Sequence, residues 1–244
     1  MRLNAADQFQ ELKNSTSNNL KREVILTDDG STTIKIHGWE ETYHSKYGAI
    51  QEAYHVFIKN GLSRFNGQPV SILEIGFGTG LNAFITYLNS EKLSQQINYV
   101  GVEAFPISQE ELSGLNYVDV LNAEAERAVF DAMHNCDWET KTSLSSLFTL
   151  TKTATHFQDI AFQNKFDIIY FDAFGYGVQP ELWSEEIFAL MYSALKKSGL
   201  LITYAARSII KRNMQSAGFT VKKLEGPPGK REMMAAFKNF HEDV

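Results

Sequence analysis

The sequence has one cysteine, Cys136, in 244 residues. A lone thiol excludes an intrachain disulfide framework and a cysteine-based zinc site, and it fits a reducing, cytoplasmic compartment. Long apolar runs are missing: none approaches the roughly 18 to 20 residues of a membrane span. The first twenty residues are polar and rich in Asn and Gln. They contain no apolar stretch of the kind a secretory signal needs, so no membrane association is expected. No His, Asp or Glu group has metal-ligand spacing, so no metal is expected. P-loop and G-x-S-x-G patterns are absent too, as are repeats and low-complexity tracts.

What is present suffices for a sizeable core, and one main domain with a small N-terminal addition is the simplest division. Net charge is −6, which by itself argues against a nucleic-acid partner. Its distribution argues the other way. From Lys196 to Lys238 there are ten Lys and Arg against only Glu225 and Glu232. A basic segment on an acidic body steers a polyanion to one face, although a set of solvated charges explains it equally well.

Residues 1–22 show no period and read as an irregular or partly helical lead. Val24-Ile25-Leu26-Thr27 and Thr33-Ile34-Lys35-Ile36 flank an Asp28-Asp29-Gly30-Ser31 turn and predict a hairpin. Apolar residues at helical spacing from Gly48 to Ile58 predict an amphipathic helix. Residues 1–60 therefore form an extension of hairpin plus helix, and 61–244 the main domain. Within that domain, strands are expected at Val70–Ile75, Ile97–Val102, Leu147–Thr151, Phe166–Phe171 and Leu200–Tyr204. Helices follow at Leu81–Leu88 and from Ser208, and Phe219–Lys223 with Met233–Phe237 make a closing pair. This alternation implies a mostly parallel α/β sheet of seven strands with right-handed crossovers. Residues 104–146 are long for one crossover and read as an insertion.

The chemistry begins where the first core strand turns into a helix. Gly76, Gly78 and Gly80 allow positive φ and a close backbone approach to a ligand. Thr79 and Asn82 add polar groups at the helix start. Glu74 precedes the turn, where a carboxylate can oppose a cationic amino group. Glu103 ends the second strand, where an acid can bind both ribose hydroxyls. Together they indicate a nucleoside-bearing ligand, and NAD satisfies them as well as a methyl donor does. Asp172, at the carboxyl end of the nearly all-apolar strand Phe166–Phe171, favours the donor. There it could hold an incoming amine and take up a proton as the nitrogen is alkylated. Methyl transfer otherwise needs chiefly in-line placement. The Glu41-Thr42-Tyr43-His44-Ser45 segment is dense in hydrogen-bonding groups, with His44 more simply a structural histidine. Gly226-Pro227-Pro228-Gly229-Lys230-Arg231 is a stiff turn with two cations, suited to a phosphate contact or to plain solvation.

With these residues in view, the chain resembles the methyltransferase part of the bifunctional tRNA 5-methylaminomethyl-2-thiouridine biosynthesis proteins, and more closely their stand-alone relatives of MnmD type. The resemblance runs from about Glu23 to Phe237. It rests on Glu40-Glu41-Thr42-Tyr43-His44-Ser45, Gly48-Ala49, Glu52-Ala53 and the run from Ile72 to Asn82. Phe171-Asp172-Ala173-Phe174, Gln179-Pro180-Glu181-Leu182-Trp183, Ala217-Gly218-Phe219 and Gly229-Lys230-Arg231-Glu232-Met233 complete it.

The resemblance implies a class I methyltransferase fold (Rossmann-like), S-adenosylmethionine as donor and N-methylation of 5-aminomethyl-(2-thio)uridine at the tRNA wobble position. It implies that Tyr43, Ser45, Glu74, Gly76, Phe77, Gly78, Gly80, Asn82, Glu103 and Asp172 bind the donor, with Asp172 beside the methyl group. It further implies that Phe174, Lys230 and Arg231 face the tRNA. The FAD-dependent oxidase half of the bifunctional proteins is expected to be absent. Aminopropyl transfer, methylation of a small amine, and a non-catalytic tRNA- or nucleotide-binding module are the alternatives. One departure stands out: Thr151-Lys152-Thr153-Ala154-Thr155-His156 lacks the acid that usually meets the adenine amino group. A hydroxyl or the backbone is expected there, unless the alignment shifts.

Overall fold

The computed structural model describes residues 21–39 and 41–239. Nearly all of the expected N-terminal lead, 1–22, and Glu40 lie outside the described residues.

Strands β1 (Arg22–Leu26), β2 (Thr32–Ile36) and β3 (Glu41–Thr42) form an antiparallel sheet of their own, with Leu26 opposite Thr32 across the turn. Asp29 in that turn accepts from Ser31 N (3.0 Å) and from Gln51 N (3.0 Å). It thereby satisfies an open amide at the N-terminus of helix α1 (Ala49–Ala53), whose own preceding residue, Gly48, brings no side chain. The regular helix expected to Ile58 stops early and continues as a π-helical turn, Tyr54–Lys59. The wider turn ends where Asn60 Nδ2 donates to His55 O at 2.8 Å.

The main sheet has eight strands in the order β10-β11-β9-β8-β4-β5-β7-β6. They are β4 (Val70–Ile75), β5 (Ile97–Val102), β6 (Thr142–Ser143), β7 (Phe148–Thr153), β8 (Phe166–Phe171), β9 (Leu195–Thr203), β10 (Thr220–Glu225) and β11 (Glu232–Phe237). Seven were expected; the eighth is the two-residue β6, too short to leave an alternating signature. The five central strands are parallel; β11 pairs antiparallel with β9 and with β10, so that β10 runs with the central strands, and β6 pairs antiparallel with β7.

Alternate strand residues supply two cores. Ile72, Tyr99, Leu150, Ile168 and Leu200 pack on one face under α1 and α2 (Leu81–Leu93). Leu73, Val100, Ile169, Phe171 and Leu201 pack on the other under α6 (Glu185–Ala194) and α7 (Ser208–Ser216). Helix α6 did not emerge from the sequence. It runs directly into β9, so no loop marks its end.

Residues 104–146 fold as the short helices α3 (Gln109–Ser113), α4 (Tyr117–Val120) and α5 (Arg127–Asn135), followed by β6. The N-terminal sheet leans on this insertion through Arg22 Nε to Glu111 (2.7 Å) and through Thr32 N to Asn116 Oδ1 (2.8 Å). That packing carries Trp39, Tyr43 and His44 over the carboxyl edge of the main sheet.

Candidate active site

Between β4 and α2 the backbone turns through Gly76, Gly78 and Gly80, whose φ values are 90, 50 and 72°. At Gly76 the need for glycine is absolute: a Cβ would lie 2.7 Å from Asp172 O. The turn is pinned on both sides. Gly76 N and Phe77 N both donate to Val102 O at 3.0 Å, and Asp172 N donates to Ile75 O at 3.0 Å. The ends of β4, β5 and β8 therefore stand at fixed spacing around a bare strip of backbone.

A cleft of about 290 Å³ opens along that strip. Of the residues singled out from the sequence, Tyr43, Gly76, Gly78, Glu103, Asp172 and Phe174 line it, as does His44. Glu103 stands midway. Its Oε2 accepts from Gly78 N (2.9 Å) and its Oε1 from Phe105 N (2.8 Å), which leaves lone pairs on both oxygens for hydroxyls in the cleft. Burial raises its pKa, and the two amides hold it back.

Asp172 closes one end. Burial and the negative charge of Glu52 push its carboxyl up to about 7, against the opposing effects of an Asn82 hydrogen bond and the charge of Lys230. An acid poised there can exchange a proton near neutrality. At the mouth, Phe174 meets Tyr43 and Trp39 edge-on, with ring centroids 5.1 and 5.7 Å apart. Its carbonyl accepts from Trp183 Nε1 at 2.8 Å, and Tyr204 Oη donates to Ala173 O at 2.8 Å. The loop after β8 is therefore held by hydrogen bonds on both sides.

Other expected site residues lie off the cleft wall. Glu74 is fully buried beneath the turn, and burial raises its pKa well above the usual carboxylate range. Asn82 bridges Glu74 Oε1 (2.9 Å) and Asp172 Oδ2 (2.8 Å), so it supports the site from below. Phe77 packs on Gly101, and Gly80 sits against His134. The Ser45 hydroxyl accepts from Tyr47 N at 3.2 Å and is not part of the lining. Lys230, expected to face outward, points in: its ammonium pairs with Glu52 and lies 4.3 Å from the Tyr204 ring centre. Arg231 is exposed. Among the described residues, no group of three or more His, Cys, Asp or Glu side chains could hold a metal ion. No helix among them is long and apolar enough to cross a membrane.

Several lining residues escaped the sequence reading. Trp39, Ala104, Phe105, Phe157 and Gln158 are brought in only by loop conformation. The end of the cleft beyond Glu103 is walled by His156, Phe157 and Gln158, and none of the threonines of 151–155 takes part. Phe157–Asp159 winds into a 3-10 turn, a conformation no local signal marks.

Residues 131–239 match a family model described as S-adenosyl-L-methionine-dependent methyltransferase. The tRNA 5-methylaminomethyl-2-thiouridine biosynthesis bifunctional protein MnmC of Burkholderia multivorans is 28% identical over 230 residues, covering 86% of this chain and 34% of that protein. Its counterpart in Marinomonas sp. is 27% identical over 217 residues, covering 80% of this chain and 31% of that protein. The chain thus spans about a third of the length of these curated relatives. Among solved structures, MNMC2 from Aquifex Aeolicus superposes with a TM-score of 0.70 at 20% identity, over 98% of this chain and 79% of that one. Spermidine synthase from Thermotoga Maritima does so with a TM-score of 0.55 at 14% identity, over 91% and 69%. Both show the fold. The glycine turn and the two strand-end acids agree with the family match over residues 131–239, and the chain has the class I fold of S-adenosyl-L-methionine-dependent methyltransferases.

Proposed function

We propose that this methyltransferase acts on the primary amine of 5-aminomethyl-(2-thio)uridine at the wobble position of tRNA, in the cytoplasm. The observation that carries the reading is Asp172, a carboxyl with a pKa raised to about 7 on the wall of the cleft, beside the aromatic mouth formed by Trp39, Tyr43 and Phe174. Alkyl amines are protonated at neutral pH and must lose a proton before they attack, so an amine acceptor needs such a group. A flat base extruded from an anticodon loop needs aromatic edges of this kind.

The residues fit the donor. Gly76 and Gly78 present backbone without side chains, and Glu103 keeps acceptor capacity for ribose hydroxyls. Gln158 supplies an amide at the far end where an acid is usual. Bound there, S-adenosylmethionine supplies an electrophilic methyl on sulfur. Glu103 would hold the nucleoside by its hydroxyls, and Asp172 would accept an N–H from the acceptor amine and take up its proton, the methyl passing from sulfur to nitrogen. Phe174 and Tyr43 exclude water from the mouth. Asn82 fixes the Asp172 carboxylate from beneath, so the reaction relies on placement more than on added chemistry. Arg231, exposed on the turn before β11, is the available cation for a phosphate.

The names of the curated relatives support the substrate. The likeness to spermidine synthase extends to fold alone and gives aminopropyl transfer no separate support. The test is incubation of the protein with methyl-labelled donor and tRNA lacking only this methyl group, followed by nucleoside analysis. Label in 5-methylaminomethyluridine is expected. Transfer to free small amines but not to tRNA would refute the substrate, and donor binding without any transfer would leave a binding module.

A further inference from the structure

Glu52 and Lys230 come from opposite ends of the chain, in the two segments for which no local role was evident, and they form an ion pair. Glu52, on α1, is held by Ser45 N at 3.1 Å to Oε1, while Oε2 takes the Lys230 ammonium. Lys230 is placed by a turn in which its own N–H donates to Pro227 O at 2.9 Å. The ring of Tyr47 packs so closely on Gly229 that a Cβ there would lie 2.2 Å from it. His55 Nε2 donates to Glu225 O at 2.9 Å, tying the same turn to the π-helical segment. The ammonium also lies over Tyr204, whose hydroxyl donates to the carbonyl next to Asp172. Two elements are thus clamped together at a point that touches the support of the reacting carboxylate.

We infer that Glu52 and Lys230 are a positioning pair for the acceptor-amine site, setting the charge environment of Asp172 from outside the cleft. The inference rests on the amine-acceptor reading given above.

The groups facing Asp172 divide cleanly. Asn82 on α2 is a neutral donor. Glu74 on β4 and the phenols of Tyr99 and Tyr204 also face Asp172; burial raises all three, which disfavours a charge on each. Glu52 and Lys230 act on Asp172 with opposite signs: the first raises its pKa and the second lowers it. The Glu52 effect is the larger, and Lys230 offsets part of it. Removing one or the other would move the carboxyl in opposite directions. Lys230 also disfavours a charge on His44, which burial already pushes down to about 4, so the imidazole adds no competing charge.

The experiment compares wild type with Glu52→Gln, Lys230→Met and the double variant by two readouts. The first is the pH dependence of kcat/KM with donor and aminomethyl-uridine tRNA. The second is the 13C titration of the Asp172 carboxyl in the donor-bound protein, assigned with Asp172→Asn. Glu52→Gln is expected to move the acid limb and the carboxyl midpoint down by about one pH unit, and Lys230→Met to move both up by a smaller amount. The double variant should fall between Glu52→Gln and wild type, and Lys230→Arg should keep the wild-type profile. Structural damage cannot produce displacements of opposite sign. Shifts in the same direction, or slower rates with an unmoved limb and carboxyl midpoint, would overturn the pair. A wild type that is inactive on tRNA but shows the opposed carboxyl shifts would refute the substrate and leave the pair standing.

Discussion

Asp172 should make the ligand-free protein less stable as pH rises. Its carboxyl titrates near 7 in the fold against an ordinary value of 3.8. Between these values the folded chain holds a proton that the unfolded chain has released, so stability falls across that window. At about 1.4 kcal/mol per pH unit, the full displacement corresponds to roughly 4 kcal/mol. The carboxyl is partly open to the cleft, and solvent screening brings the expected cost to about 2 kcal/mol. Asp172→Asn keeps the shape and an acceptor for Asn82 but cannot ionise. Near pH 4 it should match wild type. By pH 8 it should be more stable by about 2 kcal/mol, or about 4 to 8 °C in Tm for a chain of this size. Thermal unfolding of both proteins at a series of pH values measures this directly, while the same variant should bind donor and lose turnover. A stability difference that is flat from pH 4 to 8, or that favours wild type at the alkaline end, would refute the reasoning.

Gly76→Ala places a methyl 2.7 Å from Asp172 O on a backbone with φ of 90°. It should destabilise by about 1 to 3 kcal/mol and weaken donor binding, measured by melting and calorimetry. Glu103→Gln leaves one of its two backbone N–H partners facing an amide NH2 and weakens the ribose contact. Donor affinity should fall about ten- to a hundredfold, with little change in kcat once the donor is saturating. Arg231→Ala should weaken tRNA binding across all substrates and reduce the slope of log affinity against log salt by about one, whereas an unchanged slope would free this residue of a phosphate.

Much of the fold was legible because its central strands are covered on both faces. Phe166–Phe171 and Val70–Ile75 read as short, nearly continuous apolar runs, and both appear in the structure with the expected ends. The glycine turn was legible for a related reason: only glycine tolerates positive φ next to a neighbouring carbonyl. Helix α6 was missed although Ile187, Phe188, Met191 and Ala194 mark one buried face, because it passes without a loop into β9. The early end of α1 was missed because a π turn keeps almost the same spacing of apolar residues as an α-helix.

The sequence by itself determined the sheet, the glycine turn and the acids at the ends of β5 and β8, because each is fixed within a few residues by strand burial and backbone sterics. The tertiary structure decided which of the marked side chains meet the cleft. Only packing turns Lys230 inward onto Glu52, lowers Asn82 and Glu74 beneath the turn, and raises Trp39, Phe157 and Gln158 into the wall. The proton affinity of Asp172 was decided there too, since it depends on burial and on charges 120 and 58 positions away in the chain, at Glu52 and Lys230. Such couplings leave no local pattern, because the groups become neighbours only after the N-terminal helix and the C-terminal turn have closed over the same sheet edge.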